Sequence, residues 1–354
     1  MAVPDRPSRI LILYNTDYDA ELTAGAEASV SAVQASAQSI SAALVESGFS
    51  TEMVGLHGLE VIDLMARLRA DPPQLVFNLC ESMNGDPRNE PTMTGLLDLY
   101  KIPYTGNGTL ALGSCLHKSR TKDILRGRGI ATPPHRMIHS AAELADPAFD
   151  ALDYPWFLKL AHEDASVGIT WENEVHTPAA LRARTAVMLE EFGQSVLAER
   201  FIAGREVNVT LIGNGEDLVV YPIHEIDFSQ MPEGRPKIVS YAAKWEEGHV
   251  DYIGTVPVRL GESDGELIAR AASIARATWE ALGLVDYGRV DLRIDAAGQP
   301  WVIDVNPNCD ISPGTGASRA AAALGLSYPQ LIERIALVAW RRAHRQNRGA
   351  ERRA

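Results

Sequence analysis

Residues 287–312 read YGRVDLRIDAAGQPWVIDVNPNCDIS and contain two short strands joined by a tight turn. Val290, Leu292 and Ile294 alternate with Asp291, Arg293 and Asp295. Ala297-Gly298 then turns the chain, and Trp301-Val302-Ile303 begins a second apolar run. Side chains two apart share a face of a strand, so Arg289, Asp291 and Arg293 lie together, as do Asp304 and Asn306 on the return. If the strands pair about the turn, Asp291 comes near Asp304 and Asn306. Two carboxylates and an amide oxygen are hard ligands, suited to Mg²⁺ held jointly with substrate phosphates. The same alternation fits a solvated hairpin with charges on its wet face, so the decision falls to the rest of the chain.

The chain has 354 residues, 46% hydrophobic and 22% charged, which places it among globular proteins with room for two or three domains. A net charge of −13 argues against nucleic acid or an anionic membrane as partner, yet allows a local basic pocket for a nucleotide. Cys80, Cys115 and Cys309 are too far apart in sequence for a paired metal or redox motif. With no secretory signal and no long apolar run, a reduced, soluble, cytoplasmic protein is expected. The Arg-rich end, residues 343–354, is expected as a flexible tail.

Working outward, Arg9-Ile-Leu-Ile-Leu-Tyr14 is a continuously apolar run, the mark of a strand covered on both faces. A helix follows, with Val30, Val33, Ala37, Ile40 and Leu44 on one face and Gly48 at its end. A strand (51–54), a helix (59–68), a strand at Leu75-Val-Phe-Asn-Leu-Cys80, a helix (92–100) and a short strand at 102–105 complete the alternation. Such alternation predicts a doubly wound parallel sheet whose ligands gather at the carboxyl ends of its strands. Glu81, in the polar loop after the third strand, is a candidate substrate reader. The acidic segment Asp17–Glu27 is a candidate lid.

In the middle of the chain, Lys118 opens a helix ended by Gly127 and Gly129. A strand (136–138) and a further helix precede Trp156-Phe-Leu-Lys159-Leu160. A lysine in an apolar strand needs an anionic partner, because an unpaired buried charge is costly. The loop after it contains Ser166 and Gly168, whose N–H groups can approach a phosphate. A helix (178–192), a strand (196–202), a turn at Gly204-Arg-Glu206 and a strand (207–212) follow. Glu199 and Glu206 are suited to accept hydrogen bonds from an adenine amine or ribose hydroxyls.

The order of VFNLCES, IPYTGNGTLALGSCLHKSRTKDIL, PWFLKLAHEDASVGI, LAERFIAGREVNVTLIG, SYAAKW and GRVDLRID…VIDVNPN resembles the ATP-grasp superfamily, in its D-alanine–D-alanine ligase branch. The resemblance spans residues 75–337. It implies a three-domain ATP-grasp fold of α/β and α+β class, with an N-terminal doubly wound parallel sheet. The implied division is an N-terminal substrate domain (1–113), a central lobe (114–202) and a C-terminal lobe with the magnesium site (203–342). It further implies ATP as nucleotide and two magnesium ions, with manganese as a substitute, and frequent dimerisation. Lys118, Lys159 and Lys244 match phosphate-binding lysines, and Ser166 and Gly168 the flap over the phosphates. Glu199, Arg200, Phe201 and Ile202 match the adenine-reading segment, and Glu206 the ribose acid. Arg289 matches the arginine beside the reacting acyl phosphate, which with Lys244 forms the catalytic pair. Asp291, Asp304 and Asn306 match the metal ligands, Asp304 standing where the family usually has Glu.

The implied activity is ATP-dependent carboxylate–amine ligation through an acyl phosphate, releasing ADP and phosphate, with at least one amino-acid-like substrate. The sequence departs from the branch at its substrate loops. NLCESMNGDPRNEP replaces a His-Gly…Gly-Glu-Asp-Gly loop, and SVSAVQASAQSISAAL lacks the early substrate-reading Glu. Asn308-Cys309-Asp310 replaces Ser-Pro-Gly, placing Asp310 where it can pair with a cationic group. These changes point to a relative with other substrates. The alternatives are D-alanine–D-alanine ligase itself, a phosphotransferase that stops at phosphorylation, and a nucleotide-binding protein that has lost catalysis.

Overall fold

The computed structural model describes residues 5–16, 27–163 and 165–351. Its first sheet is built from β1 (Arg9–Asn15), β2 (Ser50–Leu56) and β3 (Leu75–Leu79), connected through α1 (Glu27–Glu46) and α2 (Val61–Ala70). The order is β2-β1-β3 and both pairings are parallel. The unbroken apolar run of β1 has a direct cause. Ile10 and Ile12 face a core with Ala37, Ile40 and Leu44 of α1, while Leu11 and Leu13 face Leu64 and Leu68 of α2. With α3 (Glu90–Leu99), which adds Met93 and Leu97, the second face is closed. The short strand expected at 102–105 is reduced to a single parallel bridge between Tyr104 and Val76. The lid expected at Asp17–Glu27 lies outside the described residues up to position 26, and Glu27 starts α1.

Two helices, α4 (Thr109–Leu116) and α5 (Lys118–Gly127), lead to a four-stranded sheet. Its strands are β4 (His135–Ile138), β5 (Trp156–Leu160), β6 (Glu174–Val175) and β7 (Val196–Arg200), in the order β4-β7-β5-β6 and antiparallel throughout. Helix α6 (Pro178–Phe192) begins where the Thr177 hydroxyl accepts from the Ala180 N–H, with Pro178 in its first turn. It covers the sheet with Leu181 and Met188. The helix expected between β4 and β5 is instead two 3₁₀ turns, Ala141–Ala145 and Pro147–Ala151. Pro147 explains the interruption, since it removes a backbone donor and restrains the residue before it.

The third sheet holds β8 (Arg205–Ile212), β9 (Val219–Val220) and β10 (His224–Asp227). After the short helices α7 (Tyr241–Trp245) and α8 (Val250–Ile253) come β11 (Val256–Arg259), α9 (Gly265–Leu282), β12 (Tyr287–Ile294) and β13 (Pro300–Asn306). The order is β11-β10-β8-β12-β13, with β9 on β8 and every pairing antiparallel. Helix α9 lays Ala271, Ala275 and Trp279 over Val207, Val209, Val290 and Leu292. The intervening residues therefore face the other way, and register fixes their neighbours. Asp291 pairs with Asp304 and Asn208, Arg289 with Asn306, and Arg293 with Glu206.

Helices α10 (Gly316–Ala323) and α11 (Tyr328–Glu351) return to the first sheet, where Leu331, Ile335 and Trp340 share a core with Ile10, Ile40 and Tyr287. Residues 343–351, expected as part of a flexible tail, are the last turns of α11, and Arg345 pairs with Asp217 at 2.7 Å. The start of β12 is stapled to both neighbours. Fully buried Asp286 accepts from Arg342 at 2.8 Å, the Gly106 N–H at 3.0 Å and Asn214 at 2.8 Å. Among the described residues no helix is long and apolar enough to cross a membrane, and the three cysteines are buried and not joined to one another by a disulfide.

Candidate functional site

Between the four-stranded and the third sheet runs a cleft of about 730 Å³, within the usual range of small-molecule sites. Phe157, Lys159, Glu199, Phe201 and Ile202 line it from one side. Glu206, Asn208, Arg289, Asp291 and Arg293 line it from β8 and β12, and Asp304 and Asn306 from β13. Lys244, Asp310 and Arg319 also line it.

At one end lies a buried ion triad. Glu199 reaches Lys122 at 2.7 Å and Lys159 at 2.8 Å, with all three side chains nearly sealed from solvent. Lys122 also donates to the Thr132 hydroxyl at 3.1 Å. Burial opposes the charge on Glu199, but the two lysines outweigh it and hold the carboxyl down at about 2. For Lys159 burial likewise opposes the charge, and Glu199 with Asp304 raises it above the usual lysine value. An ammonium has three donors. Lys159 places one on Glu199 and another toward the Ile303 carbonyl at 3.4 Å.

At mid-cleft the β12–β13 hairpin brings Asp291 opposite Asp304 as expected, by way of a bulge between Asp291 and Leu292 that shifts the register by one residue. Asp291 accepts from Arg289 Nε at 2.7 Å and Nη2 at 2.8 Å, from Asn208 at 2.7 Å and from Asn306 at 3.0 Å. Asp304, opposite Asp291 in register, has no hydrogen-bond donor among the described residues. Also among the described residues, no three His, Cys, Asp or Glu side chains gather at one point, so a cation here depends on the Asn306 amide oxygen as third donor. Two carboxylates, one without a protein partner, and an adjacent amide fit a hard divalent cation.

The loop after β5 is fastened across the cleft. The Ser166 hydroxyl donates to the Val239 carbonyl at 3.1 Å, the Trp245 indole to the Ala165 carbonyl at 3.0 Å, and the Tyr241 N–H to the Ile169 carbonyl at 2.9 Å. Gly168 does not line the cleft. It adopts φ +71°, and a Cβ there would stand 2.8 Å from Leu160, so this glycine serves close packing.

Most expected residues converge on the cleft: Lys159, Ser166, Glu199 to Ile202, Glu206, Lys244, Arg289, Asp291, Asp304, Asn306 and Asp310. Lys118 and Glu81 stand apart with Gly168. Lys118 donates to the Glu163 carbonyl at 2.6 Å beside the cleft, and Glu81 is exposed at the end of β3. Four residues are additions. Lys122 could have been found from its spacing, one helical turn after Lys118. Asn208 and Arg293 share their strands' polar faces, a signal carried by period two. Arg319 sits in an alanine-rich helix that carries no such signal. It donates to the Gly314 carbonyl, its Nε is buried without a partner, and no carboxylate pairs with it among the described residues.

Comparison with known proteins assigns the chain to a family. The family model described as the D-ala D-ala ligase C-terminus matches residues 124–337. The uncharacterized protein y4sG of Sinorhizobium fredii is 33% identical over 86% of this chain and 88% of its own length. The D-alanine–D-alanine ligase of Chromohalobacter salexigens is 31% identical over 81% of this chain and 82% of its own. The fold is that of D-alanine–D-alanine ligase from Bacillus anthracis complexed with ATP. The TM-score is 0.73 at 21% identity, over 96% of this chain and 99% of that one. The chain belongs to the D-alanine–D-alanine ligase-like branch of the ATP-grasp superfamily.

Proposed function

We propose that this protein joins a carboxylate to an amine at the expense of ATP, through an acyl phosphate, and that at least one substrate is an amino acid. The observation that carries the reading is the single cleft in which Lys159 and Lys244 flank Arg289, Asp291, Asp304 and Asn306. Lys159 and Lys244 hold phosphate oxygens by charge-assisted hydrogen bonds. Asp291, Asp304 and Asn306 are the residues that would hold magnesium. Held there, magnesium would supply positive charge to the phosphoryl oxygens. Arg289, kept in place by Asp291, stabilises the oxyanion formed when the amine attacks the acyl carbon. The fastened loop at 165–169 keeps water from the acyl phosphate. Phe157, Phe201 and Ile202 take the adenine, and Glu206 a ribose hydroxyl.

The amino-acid reading rests on the far end of the cleft. Asp310 and Arg319 both line it, and no ion pair joins them to each other or to any other described residue. An anion and a cation held apart suit the ammonium and carboxylate of a zwitterion. The test is ADP and phosphate release from Mg·ATP against single and paired amino acids, D-alanine included, with products identified by mass spectrometry. Release requiring two substrates and a new amide is expected. D-alanine sufficing alone would give this protein the same activity as the D-alanine–D-alanine ligases it resembles. Release without an amide would replace the ligase by a phosphotransferase.

A further inference from the structure

Arg293 is a charged side chain only 4% exposed, in the wall of the cleft beside Glu206 and Phe201. Its guanidinium is spread over three partners. Nη1 meets Glu206 Oε2 at 2.9 Å and the Lys237 carbonyl at 2.9 Å, and Nη2 meets the Gly204 carbonyl at 3.1 Å. Its plane lies over the Phe201 ring, 4.7 Å from the centroid. Nε is buried and has no partner. Gly204 itself is pressed against the end of β12, where at φ +141° a Cβ would stand 1.9 Å from the Ile294 carbonyl.

The consequences fall on the residues assigned to the nucleoside. Only one oxygen of Glu206 is engaged; Oε1 accepts from no described residue. Burial pushes the Glu206 carboxyl above its ordinary value, and the Arg293 charge opposes that push. An arginine here therefore does two things an apolar residue could not: it favours the charged form of Glu206 against burial, and it pins one oxygen so that the other is presented in one direction. Through Phe201 and Gly204 it also fixes the turn that follows β7, and through Lys237 it holds the segment leading to α7, which carries Lys244.

We propose that Arg293 is a positioning residue for the nucleotide, holding Glu206 so that its second oxygen accepts the ribose 2′-hydroxyl and thereby making the cleft selective for ribonucleotides. The proposal rests on the reading that this cleft takes ATP, and not on which acid and amine are joined.

Two measurements separate those readings. The first is direct titration of Mg·ATP and Mg·2′-deoxyATP into the intact protein without acid or amine. The second is steady-state turnover with the pair identified by the substrate panel. Wild type should prefer ATP by about 10-fold or more, the scale of one hydrogen bond to a charged acceptor. Arg293→Met should weaken ATP about 10-fold and bring the preference toward unity, with the turnover loss in KM rather than kcat. Arg293→Lys should restore part of the preference. The double variant Arg293→Met/Glu206→Gln should be no worse for ATP than either single one, since both remove the same contact. It also removes both buried charges, so it tests the idea if Arg293→Met alone fails to fold. An unchanged ATP preference in Arg293→Met, or fully additive losses in the double variant, would overturn the proposal. ATP binding with the predicted preference but no condensation for any substrate would leave Arg293 its role and remove the ligase reading.

Discussion

At the β5–β7 end of the cleft, Lys122, Glu199 and Lys159 satisfy one another at 2.7 and 2.8 Å, whereas at the α10 end Asp310 and Arg319 line the same cavity unpaired. The first arrangement is complete without a ligand. Its charges are sheltered, their geometry is fixed, and removing one strands the others in a poor solvent. The second is incomplete until something charged arrives. A site that must hold the same phosphates at each turnover gains from a rigid, pre-paired frame. A site that reads a substrate gains from groups whose partners the substrate brings.

The sharpest way to break this comparison is at mid-cleft, where Asp291 both anchors Arg289 and offers oxygens to a cation. Asp291→Asn should lower magnesium-dependent turnover by about 10³-fold, measured as ADP release. The melting temperature should move by only about 2–4 °C. A parallel collapse of both would make Asp291 a structural residue.

Next in size is Glu199→Gln, which leaves two buried lysines without the carboxylate they share. It should cost about 3–5 kcal/mol by denaturant unfolding. The pH dependence has a definite sign. The Glu199 carboxyl is held below its ordinary value of 4.5, down at about 2, so its stabilising effect is complete above pH 4.5 and is lost as pH falls toward 2. Unfolding curves of the wild type should therefore steepen with acid across that window, and those of Glu199→Gln should be flatter there. Identical slopes would show that the triad does not carry this charge.

The smallest effect belongs to the open end. Arg319→Gln should raise KM for an amino-acid substrate about 10-fold, leave KM for ATP nearly constant and change the unfolding midpoint little. A matching rise in KM for the substrate's carboxamide would sharpen the picture differently, because Arg319 would then be shaping the pocket without reading a carboxylate.

Much of this was legible in the chain itself, for identifiable reasons. Period two put Asp291 on one face of β12 and Asp304 with Asn306 on one face of β13, but the register between them does not follow from the turn: counted from Ile294 opposite Pro300, Asp291 would meet Ile303, and a bulge between Asp291 and Leu292 brings it opposite Asp304. The unbroken run of β1 announced two covered faces. What stayed hidden depended on contacts between distant segments. Lys159 asked for an anion, but that Glu199 would serve it together with Lys122 follows from β5 and β7 pairing and from the placement of α5, which no local pattern encodes. Gly168 looked like a phosphate-loop glycine and proved to be one that Leu160 leaves no room to replace. Arg319 had nothing around it but alanines and serine to suggest a site. The helix expected after β4 failed because Pro147 divides the segment into two short turns.

One feature of the architecture bears on how the chain reaches this state during synthesis. The first sheet is made of residues 9–79, yet one of its two faces is covered by α1 together with Leu331, Ile335 and Trp340 of the last helix. While the ribosome is still translating the lobes between them, the face of Ile10, Ile12 and Phe77 lacks its final cover, and the apolar flank of α1 stands open to other nascent chains. The Asp286–Arg342 staple closes only after α11 has emerged. The segment made first thus becomes secure last, and shortening α11 should be felt in the yield of folded protein before it is felt at the cleft.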